Sequence, residues 1–315
     1  MSMTNERPLV VFILGPTASG KTAAASMLYE EGVGDLISVD SAMVYRGMDI
    51  GTAKPTPAEL ARAPHRLIDI RDPAEGYSAA EFRRDAIREI NAIHAAGRVP
   101  LLVGGTMLYF KTLLEGNTNL PAASPEVRSA LAARLAAQGL GALHAELARV
   151  DPASGARIHP NDTQRTLRAL EVYHQTGVSL SDHWQRQSQS LPPWRVLTLA
   201  LAPAERHLLH QRIETRFNTM LEQGFVEEVT ALRARGDLRP DMPSMRCVGY
   251  RQAWSYLAGD DDFDTFCYKA IAATRQLAKR QITWLRSWRS PLVWCDMTAQ
   301  SAVAHILKTV RDAHR

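Results

Sequence analysis

Short apolar runs alternate with helical patterns through the first third of the chain. Val10–Leu14, Leu36–Asp40 and Val99–Val103 predict strands, and His65–Ile70 predicts a further one between the second and the last of these. A helix is predicted over Ala79–Ala96. Because strands that alternate with helices form parallel sheets, this order predicts an α/β fold in which helices cover both faces of the sheet.

The pattern changes between residues 117 and 193. Ser124, followed by proline, is typical of a helix start, and the alanine- and leucine-rich stretch after it contains no strand candidate. A second helix is predicted to start after Asp162 and to run to about Gln175, whereas Ser181–Pro193 is polar and irregular. We therefore predict a helical insertion domain within an otherwise continuous core, with the boundaries 117–193 for the insertion and 1–116 and 194–315 for the core.

Strand character returns after the predicted insertion. Arg195–Leu201 predicts a fifth strand, and the helical patterns Glu205–Glu222, Gly224–Arg235 and Asp264–Trp288 follow it. The carboxyl ends of parallel strands lie at one edge of the sheet, where ligands bind in open α/β folds. The segments that follow the first, second and fourth strands are therefore expected to meet.

The composition is that of a cytoplasmic globular protein. Of the 315 residues, 45% are hydrophobic and 22% are charged, and no apolar run reaches the ~18 residues that cross a bilayer. The polar N-terminus does not resemble a signal peptide, and the three cysteines lack metal-ligand spacing. The net charge of +4 and the isoelectric point near 9.0 give only a mild indication of a polyanionic partner.

A complete phosphate-binding loop lies between the first strand and the helix after it. The glycines let backbone N–H groups converge on an anion, and the helix directs the positive end of its dipole to the same place. The lysine supplies a positive charge, and the final threonine supplies a hydroxyl suited to Mg²⁺. We therefore expect this loop to bind a diphosphate or triphosphate; its residues are Gly15, Pro16, Thr17, Ala18, Ser19, Gly20, Lys21 and Thr22.

The loop alone does not identify a reaction, because kinases, NTPases and transferases that release diphosphate all need it. A triphosphatase usually has a metal-binding Asp at the end of a second strand. Here the fourth strand ends in Gly104–Thr106, which contains no acidic residue. Asp69, after the third strand, could serve as the metal-binding Asp instead. Asp40, at the end of the second strand, fits three roles: a turn former, a Mg²⁺ contact, or a general base.

Two basic clusters indicate a nucleic-acid partner. Arg275, Lys279 and Arg286 fall on one face of the last predicted helix, although a solvated amphipathic helix has the same pattern. Gln164 and Arg165, with Arg168 one turn later, form a similar cluster in the insertion. Two such clusters on separate elements suit contact with a phosphate backbone.

The segment from Met245 to Gln252 suits contact with unstacked RNA bases. Gly249 permits close backbone approach, and Tyr250 offers a stacking surface between Arg246 and Arg251. A plain loop has the same composition.

Taken in order, these motifs resemble the tRNA dimethylallyltransferases, the IPP transferase family. The resemblance extends over nearly the whole chain and is strong. The matching stretches are Gly15–Thr22, Asp40–Tyr45, Gly51–Pro55, Gly104–Tyr109, Asp162–Arg168, Gly224–Val229, Arg246–Arg251 and Lys279–Arg286.

The resemblance implies a P-loop NTPase-like core that transfers a dimethylallyl group from dimethylallyl diphosphate to N6 of the adenosine 3′-adjacent to the anticodon. The substrates would be tRNAs that read codons beginning with U, and diphosphate would be released. Asp40 would take the N6 proton, Thr106 would position the adenine or the base, and Lys21 with Mg²⁺ on Thr22 would stabilise the leaving group. Arg216 or Arg212 would complete that anion site.

The resemblance also implies a tRNA interface, and we expect a cytoplasmic monomer that does not bind membranes. The insertion would grip the anticodon stem. The residues expected to contact tRNA are Asp40, Ser41, Ala42, Met43, Thr106, Arg128, Gln164, Arg165, Thr166, Leu167, Arg168, Arg246, Cys247, Val248, Gly249, Tyr250, Arg251, Lys279, Arg280, Gln281, Ile282, Thr283, Trp284, Leu285 and Arg286.

Three other functions share part of this pattern. An isopentenyltransferase acting on free adenine nucleotides needs the loop and the Asp but neither the basic clusters nor the insertion. A small-molecule kinase would transfer the γ-phosphate of ATP. An RNA-binding NTPase switch would hydrolyse a nucleotide and leave RNA unchanged.

Overall fold

A computed structural model describes residues 7–115, 120, 124–186, 193–298 and 302–314. In this part of the chain six strands form one parallel sheet, in the order β3-β2-β4-β1-β5-β6. The predicted α/β class is therefore confirmed. The strands are β1 (Leu9–Leu14), β2 (Gly34–Val39), β3 (His65–Arg66), β4 (Val99–Gly104), β5 (Arg195–Ala202) and β6 (Val293–Asp296).

Helices follow or connect the strands. Several begin with a side chain that accepts a backbone N–H of the first turn, as Ser78 and Thr56 do in capping boxes. The helices are α1 (Lys21–Glu30), α2 (Pro57–Arg62), α3 (Ala79–Ala95), α4 (Met107–Glu115), α5 (Pro125–Val150, interrupted at Gly139), α6 (Pro152–Arg157), α7 (Thr163–Thr176), α8 (Leu180–Arg186), α9 (Arg206–Glu222), α10 (Phe225–Ala234), α11 (Tyr250–Ala258), α12 (Phe263–Arg286) and α13 (Ala302–His314).

The chain divides into two compact units. The first contains residues 1–113 and 192–315 and holds the sheet, whereas the second contains residues 114–191. The second unit packs around its own apolar cluster, in which Leu143, Leu147 and Leu170 are fully buried. Across the described ranges of both units, no helix is long and apolar enough to span a membrane.

The sheet of the first unit is apolar along its central strands, as expected for strands that are covered on both faces. All six residues of β1 are buried, as are all six of β4. The register pairs Leu14 with Gly104 and Val39 with Gly104, so β1, β2 and β4 end at the same level. The segments after these three strands therefore meet at one edge, as the sequence predicts.

A second apolar cluster joins the helices that follow β5. Phe217 of α9, Phe225 of α10, Tyr250 of α11 and Phe266 of α12 are buried in it, with edge-to-face ring contacts between neighbours. This cluster holds α9 to α12 as one layer beside the edge at which β1, β2 and β4 end.

Two predicted segments differ from the structure. The third strand covers only His65–Arg66 of the predicted His65–Ile70, because Leu67 and Asp69 have φ angles of 65° and 56°, which break an extended strand. The segment from Ser181, predicted as irregular, is helical as far as Arg186, and residues 187–192 lie outside the described residues.

Candidate functional site

The phosphate-binding loop connects β1 to α1 in a left-handed turn. Gly20, the residue before α1, has a φ of 91°, which L side chains rarely adopt, and Ala18 has a φ of 62°. This turn aligns the N-terminus of α1 with the loop. Lys21, half-buried at the first helical position, donates to the carbonyl oxygen of Pro16 over 3.2 Å. The loop has the geometry of an anion site.

A cavity of about 540 Å³ opens where the phosphate loop meets the ends of β2 and β4. It collects most of the residues that the sequence assigns to the reaction. Its wall also includes apolar residues of α9 and α12. Among the residues that line it are Thr17, Lys21, Thr22, Asp40, Ser41, Ala42, Met43, Thr106, Arg216, Arg246, Cys247, Val248, Gly249, Arg280, Gln281 and Trp284.

Asp40 follows β2 and is held by the turn that it starts. Its Oδ1 accepts the backbone N–H groups of Ala42 (2.8 Å) and Met43 (3.3 Å). The turn-forming role considered for Asp40 is therefore real, and the same carboxylate lines the cavity. Structure-forming and chemical roles do not exclude each other here.

Thr106 lies next to this turn, at the end of β4. Its Oγ1 accepts the backbone N–H of Ser41 over 3.1 Å and donates to the Ser41 hydroxyl over 3.4 Å. Thr106 thus joins the segment after β2 to the segment after β4. It fixes the position of the Asp40 turn.

Lys21 and Arg216 are the cations of this cavity whose pKa values are shifted by burial. Desolvation, followed by repulsion from Arg216, lowers the pKa of Lys21 to about 8, and Asp40 partly opposes that shift. Burial also lowers the pKa of Arg216, again opposed by Asp40. Both shifts show that positive charge is buried in this cavity. A bound diphosphate would supply compensating negative charge.

Of the two arginines considered for the anion site, Arg216 lines the main cavity. It is half-buried on α9, and its Nη2 lies 3.4 Å from the carbonyl oxygen of Thr52. Arg212 is exposed one turn earlier, in a second depression that also includes Arg216. The alternative in which Asp69 binds metal is disfavoured, because the Asp69 carboxylate pairs with Lys54 over 2.5 Å.

The loop that carries Thr52 is anchored by Glu228, a residue to which the sequence assigned no role. Its carboxylate accepts three successive backbone N–H groups, of Asp49 (2.8 Å), Ile50 (2.7 Å) and Gly51 (3.1 Å), and the Tyr250 hydroxyl over 2.5 Å. Charge-assisted bonds of this kind are strong. The only sequence signal was the acidic pair after Gly224, which is also typical of any helix start.

Besides Gly249, four residues expected to contact tRNA are buried, so their side chains are unavailable to a partner in this structure. Tyr250, interpreted as a stacking surface, is 0% exposed because its ring packs against Phe225 and its hydroxyl bonds Glu228. Thr166 and Leu285 face the interiors of their units. Gln281 is 8% exposed, and both ends of its amide are bonded within the protein.

The expected tRNA contacts Asp40–Met43, Thr106, Cys247 and Val248 line the cavity, and the others fall into three groups. In the second unit Gln164 and Arg165 are exposed, Leu167 is half-buried, and Arg128 and Arg168 each bond the buried carboxylate of Glu171 over 3.0 Å. Arg246 and Arg251 are exposed near the start of α11. On α12, Ile282 and Trp284 are half-buried, and the exposed residues are Lys279, Arg280, Thr283 and Arg286.

Arg275, counted with the basic face of α12, instead pairs with Glu214 of α9 over 2.7 Å. That pair contributes to packing between the two helices.

The oxygen donors near the loop fit Mg²⁺ that is held mainly by its substrate. The Thr22 hydroxyl and the Asp40 carboxylate line the same cavity, and Mg²⁺ prefers such hard oxygens, usually completed by water and phosphate. Within the described ranges no group of three or more His, Cys, Asp or Glu residues could hold a metal ion.

The sequence profile of the IPP transferase family matches residues 43–288. A tRNA dimethylallyltransferase of Chromohalobacter salexigens is 57% identical over 309 residues, which cover 98% of this chain and 99% of that protein. This chain belongs to the IPP transferase family. The resemblance drawn from the motifs is therefore confirmed.

Solved structures of the family agree with the fold. The tRNA isopentenylpyrophosphate transferase of Bacillus halodurans has a TM-score of 0.71 and 36% identity, over 98% of this chain and 96% of that one. A eukaryotic dimethylallyltransferase acting on tRNA has a TM-score of 0.79 and 26% identity, over 95% of this chain and 77% of that one. The P-loop-like core predicted for this IPP transferase is thus shared with relatives of known structure.

Proposed function

We propose that this chain is a tRNA dimethylallyltransferase. It transfers the dimethylallyl group of dimethylallyl diphosphate to N6 of the adenosine 3′-adjacent to the anticodon, in tRNAs that read codons beginning with U. The observation that carries the proposal is one cavity in which Asp40 faces an anion site containing Lys21 and Arg216. The 57% identity to a tRNA dimethylallyltransferase supports the same activity.

The bond that breaks joins C1 of the dimethylallyl group to a diphosphate oxygen. Negative charge then grows on the diphosphate, and the loop N–H groups, Lys21 and Arg216 stabilise it. The low pKa of Lys21 in the free protein is consistent with this role, because the anion restores the charge balance. When bound, Mg²⁺ held at Thr22 and the diphosphate would neutralise further charge on the leaving group.

The bond that forms joins N6 of adenine to the same C1. The N6 proton becomes acidic as this bond forms, so the Asp40 carboxylate can accept it. Asp40 is suited to this role because Ala42 and Met43 fix its orientation. The adenine has to leave its stack to reach the cavity, which costs a few kcal/mol and less in a hairpin loop than in a duplex.

The partner is tRNA, and its anticodon stem-loop is the portion that we expect to be bound. The exposed cations Arg165, Lys279, Arg280 and Arg286 suit a phosphate backbone. We expect the insertion to hold the stem, and the chain to act as a cytoplasmic monomer.

The test is incubation of the protein with Mg²⁺, dimethylallyl diphosphate and an anticodon stem-loop RNA, followed by mass spectrometry of the nucleosides. One adenosine is expected to gain a single C₅H₈ unit, and diphosphate should appear in equal amount. Modification of free AMP as efficient as that of RNA would instead identify a nucleotide isopentenyltransferase. ATP consumption without modified RNA would identify a kinase or an NTPase switch.

A further inference from the structure

Gln281 of α12 connects the two sides of the candidate active site. Its Oε1 accepts the backbone N–H of Thr17 in the phosphate loop over 2.9 Å. Its Nε2 donates to the carbonyl oxygen of Gly105, just before Thr106, also over 2.9 Å. One side chain therefore bonds both the phosphate loop and the segment after β4 that carries Thr106.

The residues around the Gln281 amide leave room for its two hydrogen bonds. A Cβ added at Gly105 would lie 2.3 Å from the Gln281 Nε2, so only glycine lets the amide approach the carbonyl. Gln281 is 8% exposed and lines the cavity, whereas Lys279 and Arg280 just before it are exposed. The amide thus faces inward from a helix turn whose outer face carries cations.

We propose that Gln281 is a positioning residue that sets the separation of the donor and the acceptor, rather than a contact to tRNA. This inference rests on the proposed dimethylallyl transfer. Bond formation requires C1 of the donor and N6 of the acceptor to be held close and in line, and small misplacements cost large factors in rate. Both of its hydrogen bonds hold main-chain atoms of loops that carry Lys21 or Thr106.

The same geometry predicts which step a substitution affects. Each substrate still meets its own loop when the bridge is lost, so binding measured separately changes little. The rate at saturation falls because the two loops no longer hold a fixed separation. A residue that contacts tRNA would show the opposite pattern.

The experiment compares Gln281→Met with Gln276→Met, an exposed position on the same helix. The readouts are the single-turnover rate at saturating substrates and separate dissociation constants for pyrophosphate and stem-loop RNA. For Gln281→Met we expect the rate to fall by about 10- to 100-fold and each dissociation constant to change by less than about three-fold. Gln276→Met should match the wild type.

A Gln281→Met variant with the wild-type rate would overturn the inference, as would weaker RNA binding with an intact saturated rate. If Gln281→Met does not fold, Gln281→Glu is measured instead, because its carboxylate still accepts from Thr17 but cannot donate to Gly105. A normal rate in Gln281→Glu also overturns the inference. A wild-type protein that transfers no dimethylallyl group would refute the proposed function itself, which is a separate outcome.

Discussion

Asp40 has a structural task in addition to the chemical task that we propose for it. Its Oδ1 holds the turn after β2 by accepting the N–H groups of Ala42 and Met43. An asparagine can keep both bonds, because its side-chain carbonyl is also an acceptor. It cannot act as a base at neutral pH. Replacement by asparagine therefore separates the two tasks.

We expect Asp40→Asn to lower turnover by about 100-fold or more, the range typical of a lost general base. Pyrophosphate and RNA affinities should stay close to the wild type, since the turn is retained. The measurement is single-turnover transfer alongside equilibrium binding. A rate near that of the wild type would remove Asp40 from proton transfer and leave it as a turn former.

Lys21 gives the free protein a pH dependence that can be predicted with its sign. Its pKa is lowered to about 8, so the ammonium group is charged below that pH and loses its proton above it. If diphosphate binds the charged form of Lys21, as we propose, the contribution of Lys21 to affinity should be constant at neutral pH and fall above the pKa, by up to about tenfold per pH unit.

Calorimetry of pyrophosphate binding between about pH 6.5 and about pH 9.5 checks this expectation. Lys21→Arg should abolish this fall in affinity at high pH, since a guanidinium stays charged across that range. If the affinity of Lys21→Arg fell in the same way at high pH, the titrating group would be one other than Lys21.

Among the helices and strands, those with strong local sequence signals were predicted correctly. β1 and β4 are apolar runs, β5 is apolar apart from Arg195 and Thr198, and the first helix of the insertion begins at the predicted Ser124–Pro125 start. The third strand is shorter than predicted because Leu67 and Asp69 have positive φ angles, and Asp69 pairs with Lys54 in a contact that is not local. The buried state of Tyr250 depends on Phe225 and Glu228, which are distant in sequence.

Part of the candidate site could likewise be predicted from the sequence, namely the residues that directly follow strands. The phosphate loop and Asp40 follow strands, so topology alone brings them together. Gln281 lies within a basic stretch, and its inward direction depends on helix packing that spacing does not reveal. The role of Glu228 could be recognised only from the structure, because it depends on how the loop after Met48 folds.

The loop that contains Asp49–Gly51 offers a test of such a non-local contact. Glu228→Gln keeps the size of the side chain but replaces one accepting oxygen by an NH₂ group, which leaves backbone donors unpaired. We expect the free energy of unfolding to fall by about 1–3 kcal/mol. Urea denaturation measures it, with Glu227→Gln, at the exposed neighbour, as the control. Equal stabilities of the two variants would show that the contact contributes little.

At the scale of the whole molecule, the chain distributes its tasks over two units. The first unit holds the phosphate loop, Asp40 and the bridging Gln281, as well as the exposed cations of α12. The second holds Arg165, exposed on α7, but none of the residues assigned to the reaction. RNA binding should therefore depend on both units, and diphosphate binding on the first alone.

Arg165→Ala and Lys279→Ala, singly and combined, test this division. Each change removes one phosphate contact, so each should weaken tRNA binding and reduce the salt slope of log Kd by about one unit. The two losses should add in free energy to within about 0.5 kcal/mol, because the residues lie on different units. Lys308→Ala, at an exposed position of α13, is the matched control, and pyrophosphate affinity should be unchanged in all variants. If Arg165→Ala alone kept the wild-type salt slope, Arg165 would not contact the tRNA backbone, and the assignment of that task to the second unit would lose its support.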